Sequence, residues 1–167
     1  MIEVHKVKDV AVVKAIMTQP DIWATISEDG QDPDSYQCDV IGEHWLLMTT
    51  EDYVVGIYNI HAINSIQCQI HAHVFPEHRK EHSYETGVLA LKWLYDNEPS
   101  YQKLIAIIPV IYENVKKFTC QFGFHVEGLN RLSFQKNGEI VDQYLLGITR
   151  QEINEYLTMP QPRMIGG

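Results

Sequence analysis

Basic residues are scarce in this chain. Thirteen Lys and Arg stand against 22 Asp and Glu, a formal net charge of −9. A nucleic-acid partner needs a basic face to neutralise phosphates, so this balance argues against one. Adjacent basic pairs occur only at Arg79-Lys80 and Lys116-Lys117. Long apolar runs are missing too: none approaches the roughly 18 residues of a bilayer-crossing helix. The segment 1–6 lacks a signal peptide's apolar core. Cysteine is equally sparse. Cys38, Cys68 and Cys120 are odd in number, dispersed and outside CxxC spacing, which points to free, mostly buried thiols in a reducing compartment. The expectation is a soluble cytoplasmic protein with no nucleic acid or membrane as partner.

What is present suits one globular domain. The 167 residues are 45% hydrophobic and 21% charged, long enough for a single core. Residues 1–157 are expected to form that domain and 158–167 a C-terminal tail. Weak alternation over 2–7 predicts a first strand. Asp9 is a plausible N-cap for a helix over 10–17, Pro20 starts a second helix to about 26, and the Asp-, Gly- and Pro-rich stretch 27–35 reads as a loop. Strands follow over 45–50, 53–60 and 65–75. The segment 82–97 carries Val88, Leu91, Leu94 and Tyr95 at helical spacing. An almost wholly apolar strand over 104–110 leads to a helix over 111–121. Asn137-Gly138 turns a terminal hairpin of 124–135 and 140–149, and 151–157 reads as a short helix. Trp23, Trp45 and Trp93 are expected in the core or at an interface, and Cys120 as a buried thiol. Strands mixed with crossover helices predict an α/β sheet with helices on both faces.

The chemistry gathers where the strand 65–75 ends. Val74-Phe75-Pro76-Glu77-His78-Arg79 carries the chain from an apolar strand through a proline break to an arginine at the opening of a helix. Downstream, the second strand and helix close on Phe122-Gly123-Phe124. In this order of elements, from residue 1 to about 149, the chain resembles the GNAT N-acetyltransferase superfamily. The resemblance implies a mixed, mostly antiparallel central sheet with helices on both faces, an α/β (α+β) class. It also implies acetyl-CoA or another acyl-CoA as cofactor, and a small-molecule or protein amine as acceptor. Two central strands would splay apart, and the helix after the first would aim free amides and its dipole at a diphosphate.

Carried onto this sequence, the cofactor-binding residues implied are Val74, Arg79, Lys80, Glu81, His82, Ser83, Tyr84 and Asn114. The family pattern Arg/Gln-x-x-Gly-x-Gly/Ala is matched at Arg79, while His82 and Tyr84 stand at the small positions. Thr119 stands four residues before Gly123, where the family commonly has a tyrosine as general acid. His71, His73 and Glu77 are the implied candidates for a base toward the amine. The chain is also similar to small GNAT-like proteins of tailed phages with eroded cofactor loops. That likeness implies an alternative: a catalytically inactive structural protein in host cytoplasm or virion, partnered by other virion proteins.

The residues themselves leave the histidines open. Gln67, Gln69, His71 and His73 share one strand face by alternation. His71-x-His73 offers two zinc ligands without a third at a recognised spacing. The run 69–75 suggests a histidine-triad hydrolase, with Phe75 in place of the third alternating histidine. A neutral imidazole suits general-base work. The plainest alternative is a row of polar side chains hydrogen-bonded at a half-buried surface.

Overall fold

A computed structural model of the chain describes residues 1–160. The end of the expected tail, 161–167, lies outside the described residues. Strand β1 (Glu3–Val7) leads to α1 (Val10–Met17) and α2 (Pro20–Ile26). Asp9 caps α1 as expected, its Oδ1 accepting the Ala11 N–H at 2.8 Å. The loop after α2 contains a 3-10 turn, Pro33–Ser35. Three antiparallel strands follow: β2 (His44–Thr49), β3 (Val54–Ala62) and β4 (Gln67–Val74). Next come α3 (Arg79–Asn97), β5 (Lys103–Pro109), α4 (Glu113–Cys120), the hairpin β6 (His125–Lys136) and β7 (Glu139–Thr149), and α5 (Arg150–Thr158). Positive φ at Asn137 and Gly138 turns the hairpin where Asn-Gly predicts it.

Among the described residues seven strands form one sheet in the order β1-β2-β3-β4-β5-β7-β6. Every neighbouring pair is antiparallel except β4 with β5. Alternation along the strands divides the core in two. On one face Leu46, Met48, Tyr58, Ile60, Cys68, Val74, Leu104 and Ile108 pack with Ala90, Leu91 and Leu94 of α3, Phe122 and Ile153 of α5. On the other face Trp45, Ile57 and Phe75 pack with Val13, Ile16 and Met17 of α1 and Ile22 of α2. The sheet is mixed, mostly antiparallel, and covered by helices on both faces.

Three expectations change. Helix α3 starts at Arg79 rather than 82, because the 3-10 turn Pro76–His78 feeds it directly and the proline is tolerated in a first turn. Its buried face is His82, Thr86, Ala90, Leu91 and Leu94, so the inner stripe begins with polar residues that periodicity of apolar side chains cannot show. All three cysteines are free, but only Cys68 is buried; Cys38 and Cys120 are half-buried.

Candidate active site

Parallel strands β4 and β5 pair only at Gln67 with Lys103, Cys68 with Leu104 and Gln69 with Ile105. Beyond that point β4 stays bonded to β3 as far as Val74 with Gly56, and β5 stays bonded to β7 as far as Pro109 with Gln143. The two strands therefore diverge toward their C-terminal ends. An opening is left at the sheet's centre, in the crevice outside the carboxyl ends of the strands.

The register fixes which peptide groups face it. Phe75 N–H donates to the Val55 carbonyl at 3.0 Å, and strand peptides alternate their sides. Phe75, His73 and His71 thus turn their peptide groups to β3, while Val74 and Ala72 turn theirs toward the opening. Arg79 confirms the sense: its Nε donates to the Val74 carbonyl at 2.9 Å, so the guanidinium sits at the mouth.

At the start of α3, His78 N–H donates to Phe75 O at 2.9 Å and Arg79 N–H to Pro76 O. With the helix beginning at Arg79, the amides of Ser83 and Tyr84 bond four residues back, to Arg79 and Lys80. The amides of Lys80 and Glu81 remain at the open first turn. The bulky residues in the two small positions turn their side chains inward. His82 is 8% exposed with Nε2 3.0 Å from the Tyr53 hydroxyl. Tyr84 places its hydroxyl 2.8 Å from that of Tyr156 on α5 and its ring on Phe122 at 5.4 Å. Neither covers the outer side of the turn, where the Arg79 and Lys80 side chains are exposed. The Glu81 carboxylate, 78% exposed, opposes an anion there.

His71 and His73 lie on the face of α1 and α2. Opposite them on β3 are Asn59 and Ile57, with His61 opposite Gln69. Three imidazoles form a row: His61 on His71 at 5.3 Å and 15°, His71 on His73 at 6.4 Å and 9°. Asn59 Oδ1 lies 3.4 Å from His61 Nδ1, and Asn59 Nδ2 donates to Glu43 Oε2 at 2.9 Å. Burial pushes His71 down to about 4, helped by His61. Burial, then His71 and Arg79, pushes His73 down to about 3. Both rings are neutral at physiological pH and offer lone pairs, but so weakly basic a pair is better at accepting a hydrogen bond than at removing a proton outright. Among the described residues no three His, Cys, Asp or Glu side chains are disposed to hold a metal ion. Sequence reading missed Asn59, His61 and Glu43, whose place beside His71 depends on a cross-strand register that no local pattern specifies.

The remaining candidates are dispersed. Glu77 is exposed in the 3-10 turn, and Asn114 is exposed at the start of α4. Thr119 donates its hydroxyl to the Val115 carbonyl of its own helix at 2.9 Å. A different phenol stands at the junction of β7 and α4. Tyr144 OH donates to Glu113 Oε2 at 3.0 Å, and Lys116 lies 4.7 Å over its ring. Hydrogen bonds from Lys116 and then Tyr144 hold Glu113 below the usual carboxylate value. A cavity of about 290 Å³ lies not between β4 and β5 but beside α2, lined by Trp23, Ile26, Gln31, Ser35, Tyr36 and Gln37.

A seven-stranded mixed sheet opening between its central parallel strands, with α3 starting at that opening, is the GNAT topology. Among solved structures, spermidine N-acetyltransferase from Vibrio cholerae in complex with CoA and spermine is similar at a TM-score of 0.76 and 14% identity, covering 92% of this chain and 98% of that one. A chimera of the Vibrio cholerae SpeG enzyme and hSSAT is similar at 0.74 and 15%, covering 95% and 99%. The Vibrio cholerae enzyme in complex with manganese ions is similar at 0.69 and 14%, covering 92% and 95%. At these identities the likeness is one of fold. No protein-family model matches the chain, and no curated protein matches it. None of the three structures bears on association with a virion. Among the described residues, no helix is long and apolar enough to cross a membrane.

Proposed function

We propose that the chain is an N-acyltransferase that moves an acetyl or other acyl group from acyl-CoA to an amine. One observation carries this reading: β4 and β5 part after three paired residues, leaving a gap into which the Val74 and Ala72 peptide groups turn. The residues present fit an acyl-CoA. The amides of Lys80 and Glu81 with the Arg79 and Lys80 charges would hold its diphosphate, the inward-turned His82 and Tyr84 leaving them room, and Asn114, exposed at the start of the helix that follows β5, would add a polar contact. Bound there, the thioester supplies an activated carbonyl.

The chain's own part is to polarise that carbonyl and to orient the amine. Val74 N–H would donate to the carbonyl oxygen, held in place by the Arg79 bond to the other end of the same residue. Neutral His71 and His73 would accept hydrogen bonds from the amine on the other face of the sheet, aligning the lone pair it exposes once its ammonium proton has passed to water. Attack would form the C–N bond and break the C–S bond, the second amine proton passing to water and CoA leaving as a thiolate that takes a proton from water. The Vibrio cholerae structure contains spermine, and a net charge of −9 draws cationic amines to the surface. Both support an alkylamine or polyamine acceptor.

Isothermal titration with acetyl-CoA and with CoA tests the cofactor half. Saturable binding in about the micromolar range is the expected result, weakened about tenfold or more in Arg79→Ala through loss of charge and of support for Val74. Absence of binding to the wild-type protein would overturn the reading.

A further inference from the structure

The segment after α2 and the tip of the β6–β7 hairpin, more than a hundred residues apart, are tied by five hydrogen bonds. Asp29 Oδ1 accepts the Asn137 N–H at 2.9 Å and Oδ2 accepts the Gly138 N–H at 2.7 Å. Asp29 N–H donates to Gln135 O at 3.2 Å, and Gln135 N–H donates to Glu28 Oε1 at 3.0 Å. Lys136 Nζ donates to Ser27 O at 2.6 Å. The two turn amides hold the Asp29 carboxyl below its ordinary value.

The position of this tie gives it meaning. Helix α2 belongs to the layer over β2 and β3, where Ile22 packs with Trp45 and Ile57. The hairpin belongs to the far side of the sheet. Between them in the strand order lie β4 and β5. The hairpin tip also overshoots β5, since Pro109 at the end of β5 pairs with Gln143 and the turn lies at Asn137 and Gly138. The tie therefore crosses the C-terminal ends of β4 and β5 on the face that carries His71 and His73. The cavity beside α2 flanks it, since Ile26 and Gln31, on either side of residues 27–30, are both in its wall.

We propose that residues 27–29 and 135–138 form a latch that closes a ring over the acceptor side of the β4–β5 opening, and that Asp29 thereby determines which amines reach the acyl group. The inference rests on the acyltransferase reading and goes beyond it. An open groove admits branched and bulky amines, whereas a ring closed by backbone amides admits slender ones that thread beneath it. Asp29 is a positioning residue: it touches the hairpin and not the reacting atoms.

The test uses the full chain with Asp29→Ala and Asp29→Asn, the second keeping one acceptor oxygen. Hydrogen exchange should show Asn137 and Gly138 amides losing protection by about tenfold or more in Asp29→Ala, with the amides of β5 and β7 unchanged. Diethyl pyrocarbonate labelling, read by mass spectrometry, should modify His71 and His73 several-fold faster in Asp29→Ala than in the wild type, with exposed His125 as the internal reference. In acetyl transfer, kcat/KM for a branched amine relative to a linear one should rise several-fold in Asp29→Ala and less in Asp29→Asn, with the KM for acetyl-CoA unchanged. Unaltered exchange and labelling would show that no latch covers this face and overturn the inference. Faster labelling with an unchanged amine ranking would overturn the role in selection. Loss of acetyl-CoA binding in the wild type is a different outcome, removing the acyltransferase reading and the selection built on it, while labelling still reports whether the latch covers the face.

Discussion

Gly56 shows how one missing side chain shapes the site. It pairs with Val74 at the end of β4. A Cβ there would strike the His73 carbonyl oxygen and come within 2.8 Å of Val74 Cα. Those neighbours are backbone, so no rotamer change relieves the clash, and β4 would have to move off β3 toward the opening. Gly56→Ala is expected to destabilise the protein by about 1–3 kcal/mol, measured by urea unfolding. It should also weaken acetyl-CoA binding, because the displaced atoms include the Val74 peptide group. Unchanged stability would mean that the strands separate there at no cost. On its other side β4 has no such restraint: among the described residues its pairing with β5 stops at Gln69.

At the scale of the strand, β4 couples function to pH. The ordinary histidine value is 6.5, and burial lowers His71 to about 4 and His73 to about 3. As pH falls through 6.5 the unfolded chain takes up protons on both rings, while the folded chain does not until about 4 and 3. The unfolded state thus binds more protons over that window. Stability is full above pH 6.5 and is lost as pH falls toward 3, by on the order of a few kcal/mol. Urea midpoints at about pH 7.5 and about pH 5 should differ in the wild type, and less in a His71→Gln/His73→Gln double variant. An equal dependence in both would place the sensitivity elsewhere. The period-two alternation that put His71 and His73 on one face was legible in the sequence, as were the order of elements and the Asn-Gly turn. The row that His61 completes was not, because it needs the β3–β4 register. Pro76 reads as a break, so the sequence pattern starts α3 at 82, whereas the 3-10 turn absorbs the proline and runs on into a helix from Arg79. Tyr84 stands at one of the family's small positions, and its direction is set by Phe122 and Tyr156, which lie far along the chain.

Across the whole molecule, distant segments are joined by side chains that reach backbone. Asp29 does so at one end of the sheet and Arg150 at the other. Arg150 opens α5, its N–H donating to Gln102 O at 2.8 Å. Its Nη2 donates to Tyr95 O at 2.6 Å and its Nη1 to Glu98 O at 3.3 Å, with the guanidinium 4.3 Å over the Tyr95 ring. These carbonyls belong to the last turn of α3 and its C-cap, where a helix leaves acceptors unpaired and carries partial negative charge. One cation therefore satisfies the end of α3 while anchoring α5, which in turn carries Tyr156 to Tyr84 near the helix's other end. Removing it leaves two carbonyls without that donor and loosens α5. Arg150→Ala is expected to cost about 1–3 kcal/mol, and Arg150→Lys to recover only part, since an ammonium cannot serve both carbonyls and the ring at once. Hydrogen exchange distinguishes this from general weakening: protection should fall first in α5 and the last turn of α3, with β2 and β3 unaffected. Uniform loss across the sheet would instead mean that α5 and the sheet open as one cooperative unit, and that Arg150 is not a local clamp.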